Sequence, residues 1–222
     1  MKKILFMGVI GLFLLGSCNS KSGEGHNHET KAQNNFGSNK LSRWGEYLGK
    51  NFNCNRKKTK DNEEIYAKGK KALISVKEIK QAIYFYEIQG NSEEQAITLA
   101  YDYMKKSAAL YAEASSKGYT TTEEEVKKHV QELREFMESE NLDETSKNQV
   151  KSIIEGFGSE EEYWKYEEKV YQKLLVSEKY VSDLQKEFYD NSSYNSEEWN
   201  IYFENLKESL VEKEEFQVIG EL

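Results

Sequence analysis

The chain has 222 residues, a formal net charge of -8, 32% charged residues, 15 tyrosines and no proline. A chain of this length buries a core without disulfide or metal support, and the absence of helix breakers points to a mostly α fold. The acidic excess argues against a nucleic-acid partner: residues 1–17 hold two lysines and no acid, so their removal takes the charge from -8 to -10, a surface that repels phosphate backbones.

The N-terminal "MKKILFMGVIGLFLLGSC" has Lys2 and Lys3, an apolar run from Ile4 to Leu15, and Gly16-Ser17-Cys18. The run is short for a membrane span and has the three-part layout of an export signal. "LGSC" resembles the bacterial lipobox. That resemblance implies a signal peptide over 1–17, a lipid on Cys18 and a chain held at the extracytoplasmic face of a bacterial cell membrane. Two or three acyl chains would anchor it stably. The alternatives are an ordinary signal peptide with an incidental cysteine, or an uncleaved anchor.

Residues 18–40 are polar and read as a disordered tether; about 20 such residues reach roughly 25 Å. His26 and His28 in the tether are half a metal site, and Cys54 is a single thiol with no fixed histidine beside it, so neither a metal nor a cofactor is expected. Residues 41–64 form a short amphipathic and basic linker. In it Leu41, Trp44, Leu48 and Phe52 fall at helical spacing, interrupted by Gly45 and Gly49 and followed by Arg56, Lys57, Lys58 and Lys60. A membrane-surface segment would look like this, but so would a short helix covering part of the core, which is the favoured reading.

Residues 65–222 are expected to form a single helical domain. "EIYA", a turn near Gly69 and an extended piece ending at Ser75 begin it. Ser75 with Glu78 makes a capping box for a helix to about Gln89. Its core stripe is Val76, Ile79, Ala82, Ile83 and Tyr86, while Tyr84, Phe85 and Ile88 lie off that stripe. A helix apolar nearly all round is either sandwiched or leaves a face free to bind, and Tyr84, Phe85 and Ile88 are the candidate contacts in the second case. Gly90 ends it, Ser92 with Gln95 opens a helix to about Lys117, and Ala96, Ala100, Tyr103, Ser107, Leu110 or Tyr111, and Ala114 give that helix an apolar, mostly small-residue face.

Gly118 closes this helix, Thr122 with Glu125 caps the next, and Glu123 to Glu125 suit the positive end of its dipole. Val126, Val130, Leu133 and Met137 mark the core side of this helix, and a shorter one holds Val150, Ile153 and Ile154. Gly156 and Gly158 end it. Ser159 with Glu162 opens a long helix with the stripe Tyr163, Val170, Leu174, Val181, Leu184 and Phe188, and Ser196 is expected to cap the last, with Trp199, Tyr202, Phe203, Leu206 and Leu210 inward. The tail "EFQVIGEL" is β-prone and could pair with "EIYA".

No catalytic pattern is present: there is no Gly-rich phosphate loop, no nucleophile elbow, no His-Glu-x-x-His and no paired-cysteine motif. His129 reads as a solvated surface histidine, and the two "EEE" runs at 123–125 and 160–162 as first turns of helices.

The order of helices, with "AEASSKGYTTTEEEVKKHV" and "GFGSEEEYWKYEEKVYQKLLVSEKYV", resembles the N-terminal chaperone domain of the SurA and PrsA family of extracytoplasmic folding factors, over roughly residues 65–215. Members usually carry a parvulin prolyl-isomerase domain between or after the last helices. Here only "YDNSSYNSEEW" separates them, which leaves no room for it. The resemblance therefore implies a non-catalytic holdase that binds unfolded or partly folded exported proteins. The alternative is a structural or adaptor lipoprotein that docks one specific envelope partner.

Overall fold

The computed structural model describes residues 37–52, 64–190 and 195–222. The signal segment with Cys18, the tether with His26 and His28, Cys54 and the basic residues from Arg56 to Lys60 lie outside the described residues. The fold is mostly helical, as expected. In chain order it has α1 (Ser38–Phe52), β1 (Ile65–Lys68), β2 (Leu73–Ser75), α2 (Val76–Gln89), α3 (Glu93–Ser116), α4 (Glu123–Glu138), α5 (Glu144–Phe157), α6 (Glu160–Asp190), α7 (Ser196–Glu214) and β3 (Gln217–Val218). No helix among the described residues is long and apolar enough to cross a membrane.

The described residues divide into two compact units. The first takes 37–52 and 127–174, the second takes 64–126, 175–190 and 195–222, and α4 and α6 contribute residues to both.

In the first unit α1 packs on α5. Leu41, Trp44 and Leu48 are buried, as are Val150, Ile153 and Phe157, so the aromatic stretch after the tether is a core helix and not an exposed amphipathic surface. Gly45 and Gly49 do not interrupt this helix; they are its contact surface. A Cβ on Gly45 would fall 1.9 Å from the Ile153 carbonyl oxygen, and one on Gly49 would fall 2.5 Å from that of Phe157. Gly156 answers from α5, where a Cβ would lie 2.0 Å from the Ser42 carbonyl oxygen. Backbone meets backbone at this crossing, which only glycine allows. Gly156 therefore belongs inside α5, and Gly158, at φ 89°, ends it.

The second unit is built on the sheet β2-β1-β3, with both pairs antiparallel. Val218 stands opposite Ala67 and Gln217 opposite Lys68, so the C-terminal tail does pair with the first strand. Tyr66, Ala67, Ile74, Val76, Ile79, Ala82, Ile83, Ala96 and Ala100 form one core cluster beneath the sheet. The β1–β2 turn is held by a buried acid at the end of α7. Glu214 Oε2 accepts from the Lys71 amide at 2.7 Å and the Ala72 amide at 2.8 Å, satisfying two turn donors at once.

The capping boxes at Ser75/Glu78, Ser92/Gln95 and Thr122/Glu125 form as the sequence implied. Gly90 and Gly118 take the left-handed conformation. At the last helix the cap is one residue earlier than expected: Asn195, whose Oδ1 accepts from the Glu197 and Glu198 amides, with Glu198 returning the bond.

Candidate functional site: an exposed aromatic cluster

The residues singled out as client contacts do not present a free face. Phe85 is 0% and Ile88 5% exposed, and Tyr84 is half-buried. A helix apolar nearly all round is enclosed on both sides here, which is the sandwiched alternative. Accessible aromatic surface lies elsewhere.

The long helix α6 carries two groups of rings. In the first unit Tyr163 is packed edge-on to Phe157 at 5.7 Å and to Trp164 at 5.2 Å, with Tyr166 alongside. All four are buried. Trp164 Nε1 donates to Glu160 at 3.2 Å, and the Arg134 guanidinium lies over its ring at 5.5 Å. Burial, with the negative charge of the Glu167 carboxylate nearby, holds the Tyr163 hydroxyl well above the usual phenol range. Further along, the His129 ring lies 4.6 Å from that of Tyr171, tilted by 51°. It is half-buried, its Nε2 has no hydrogen-bond partner among the described residues, and burial pushes its pKa down. The expectation of a solvated surface histidine is corrected accordingly: tyrosine packing draws the ring inward.

The buried seam of α6 is broader than the expected one. Of that stripe Tyr163 is buried and Val170, Leu174, Val181 and Leu184 are half-buried, while Tyr166, Tyr171, Leu175, Val176 and Tyr180 are inside as well. The stripe missed these because tyrosines fill much of this core.

In the second unit the stretch around Tyr119 docks on α6. Tyr119 OH donates to Asp183 at 2.9 Å and its ring meets Tyr180 at 5.5 Å. Lys179 Nζ donates to the Thr120 carbonyl at 2.9 Å and to Glu125 at 2.8 Å. The Lys179 hydrogen bond, with the backbone bond at Thr122, brings the Glu125 pKa down to about 2. "KGYTTTEEEV" is therefore helix punctuation and an anchoring point at once. On the same helix, burial pushes Glu178 up to about 7.

The second ring group lies where α6 ends and α7 begins. Phe188 sits 5.4 Å from Trp199 and 5.1 Å from Tyr202; Trp199 stacks on Phe203 at 5.5 Å, and Tyr189 lies 6.4 Å from Trp199. Trp199 is buried at the centre, while Tyr189 is 38%, Tyr202 39% and neighbouring Ile201 57% exposed. Tyr202 was expected inward with Phe203; it is instead at the rim. The sequence signal was present in the spacing of Trp199, Tyr202 and Phe203, but only the approach of Phe188 and Tyr189 shows that these rings form one surface.

Among the described residues no group of three or more His, Cys, Asp or Glu side chains is placed to hold a metal ion. No family model, curated protein or solved structure matches the chain.

Proposed function

We propose that the protein is a lipid-anchored, extracytoplasmic holdase that shields unfolded or partly folded exported polypeptides without catalysing prolyl isomerisation. The observation that carries this reading is the ring cluster of Phe188, Tyr189, Trp199, Tyr202 and Phe203, whose rim rings Tyr189 and Tyr202 keep 38% and 39% of their surface exposed. Partly exposed aromatic side chains gathered in one patch suit promiscuous apolar binding. The resemblance of "KGYTTTEEEV" to the SurA and PrsA chaperone domain supports it, as does the "LGSC" sequence for anchoring at Cys18.

Light scattering tests the reading. A chemically unfolded, proline-poor client diluted into buffer should aggregate less at near-stoichiometric amounts of the protein, and a proline-limited refolding step should not accelerate. Unchanged aggregation would remove the holdase reading. Labelled palmitate should enter the wild-type chain and not Cys18→Ala; label in both would remove lipidation at that residue.

A second reading, an adaptor for one envelope partner, is favoured by the edge strand β3, where Val218 is 51% and Ile219 61% exposed. An open edge with apolar side chains suits strand addition by a specific partner. Breadth separates the two: a holdase takes many unfolded peptides, an adaptor one folded protein.

A further inference from the structure

The strand β3 hides little of its own side chains. It is two residues long, and Gln217, Val218 and Ile219 are all exposed, Val218 at 51% and Ile219 at 61%. Their burial contributes little to holding it. The edge of β1 does the holding. Val218 stands opposite Ala67 and Gln217 opposite Lys68, and the amides of Ile219 and Gly220 both donate to the Tyr66 carbonyl, at 2.9 and 3.0 Å. Two positions of the segment are selective. Phe216 is half-buried and packs on the core cluster beneath the sheet, and Gly220 lies so close to β1 that a Cβ there would fall 2.5 Å from the Ile65 carbonyl oxygen.

The joint before this segment is strained. Glu215 has φ 52° and ψ 50°, and no other non-glycine among the described residues has a positive φ. An L residue disfavours that conformation, and release of the segment relieves it. The Glu215 carboxylate makes an exposed ion pair with Lys70, a contact of small worth. One residue earlier the chain is fastened independently of β3: the Glu214 carbonyl accepts from the Lys70 amide at 2.9 Å, and its carboxylate holds the Lys71 and Ala72 amides. The end of α7 therefore keeps its grip on the β1–β2 turn when the segment beyond it lifts.

We infer that the edge of β1 is a binding site for extended polypeptide, with residues 216–220 as its built-in occupant, and that a segment of another chain carrying an aromatic residue four places before a glycine takes their place. Main-chain hydrogen bonds give such a site its affinity, and the Phe216 and Gly220 positions give it selectivity. The incoming segment sits on β1 in place of β3, so the site is distinct from the ring cluster and from the outer edge of β3.

Fluorescence anisotropy with a labelled peptide of sequence EFQVIGEL, the chain's own residues 215–222, tests it on the full chain in neutral detergent. Lys68→Cys with Gln217→Cys, in a Cys18→Ser/Cys54→Ser background, puts two exposed cysteines directly opposite each other in an antiparallel pair, a spacing that suits a disulfide. With the segment locked down, the oxidised chain should bind the peptide about tenfold more weakly than the same chain reduced, because only the opened edge is competent. Gly220→Val, whose side chain meets the Ile65 oxygen, should bind it about tenfold more tightly than the wild type does. Peptides carrying the Phe216→Ser or the Gly220→Val change should lose most of that affinity.

Equal binding by the oxidised and reduced chains, or no binding by any of these chains, overturns the site. So does a dimer that forms by exchanged tails and excludes the peptide, since the occupant is then a second copy. Client aggregation is read separately, so either outcome leaves the holdase reading to its own test.

Discussion

Two ring clusters on one helix meet opposite fates. Around Tyr163 the rings are enclosed, with Phe157 of α5 against them; around Trp199 the rim residues Tyr189 and Tyr202 keep more than a third of their surface in water. Composition does not separate them, since both are tyrosine, tryptophan and phenylalanine at helical spacing. The difference lies in what approaches. In the first unit glycines let α1 and α5 close to backbone contact, whereas the second cluster gathers at a helix end and a helix start. An aromatic stripe therefore becomes core or surface according to its neighbours.

The largest effect is expected in the enclosed cluster. Phe157→Ala should cost about 3–5 kcal/mol in chemical denaturation, the range for a fully buried aromatic; a loss well below 1 kcal/mol would show that this cluster is not the core it resembles. Gly45→Ala should follow at about 1–3 kcal/mol or more, since its new methyl would meet a backbone oxygen that only helix separation can relieve. An unchanged denaturation midpoint would remove the close crossing of α1 and α5.

Glu178 gives a pH-dependent effect between these extremes. Burial raises its pKa from 4.5 in the unfolded chain to about 7, so the folded state holds the proton longer. Stability falls as pH rises from about 4.5 to about 7 and then levels off. The cost approaches about 3 kcal/mol by linkage, as an upper bound. Glu178→Gln should flatten that slope and be the more stable protein at neutral pH; an identical pH profile would contradict this. Glu125 works in the opposite sense: its lowered pKa contributes stability above about 4.5 that disappears as pH falls toward about 2. Lys179→Met should weaken that acid dependence, measured as the shift in midpoint between neutral and acid pH.

The smallest stability change belongs to the exposed cluster, where Tyr202→Ser should move the denaturation midpoint by less than about 1 kcal/mol.

Local signals were legible in the sequence. Ser75, Ser92 and Thr122 each sit three residues from the partner that completes the box, and Gly90, Gly118 and Gly158 each close a helix, because a cap is settled within one turn. The pairing of the tail with β1 was also legible from β-prone residues at the two ends of the domain. Features that depend on a distant partner were not. Gly45, Gly49 and Gly156 read as breaks until a second helix is set against them. Phe85 and Ile88 fit a sandwiched helix or a free face equally until the structure shows that face covered. Glu214 looked like one acid among many, although it holds a turn 142 residues away. The exposed cluster needed Phe188 and Trp199 to be brought together across the end of one helix and the start of another.

The central claim is that the exposed rings, and not the enclosed ones, serve unfolded chains. Client aggregation measured by light scattering, with the wild type beside Tyr189→Ser/Tyr202→Ser, tests it most directly. The account expects suppression to be lost in the variant while its helical circular dichroism stays that of the wild type. Equal suppression by both proteins would contradict it.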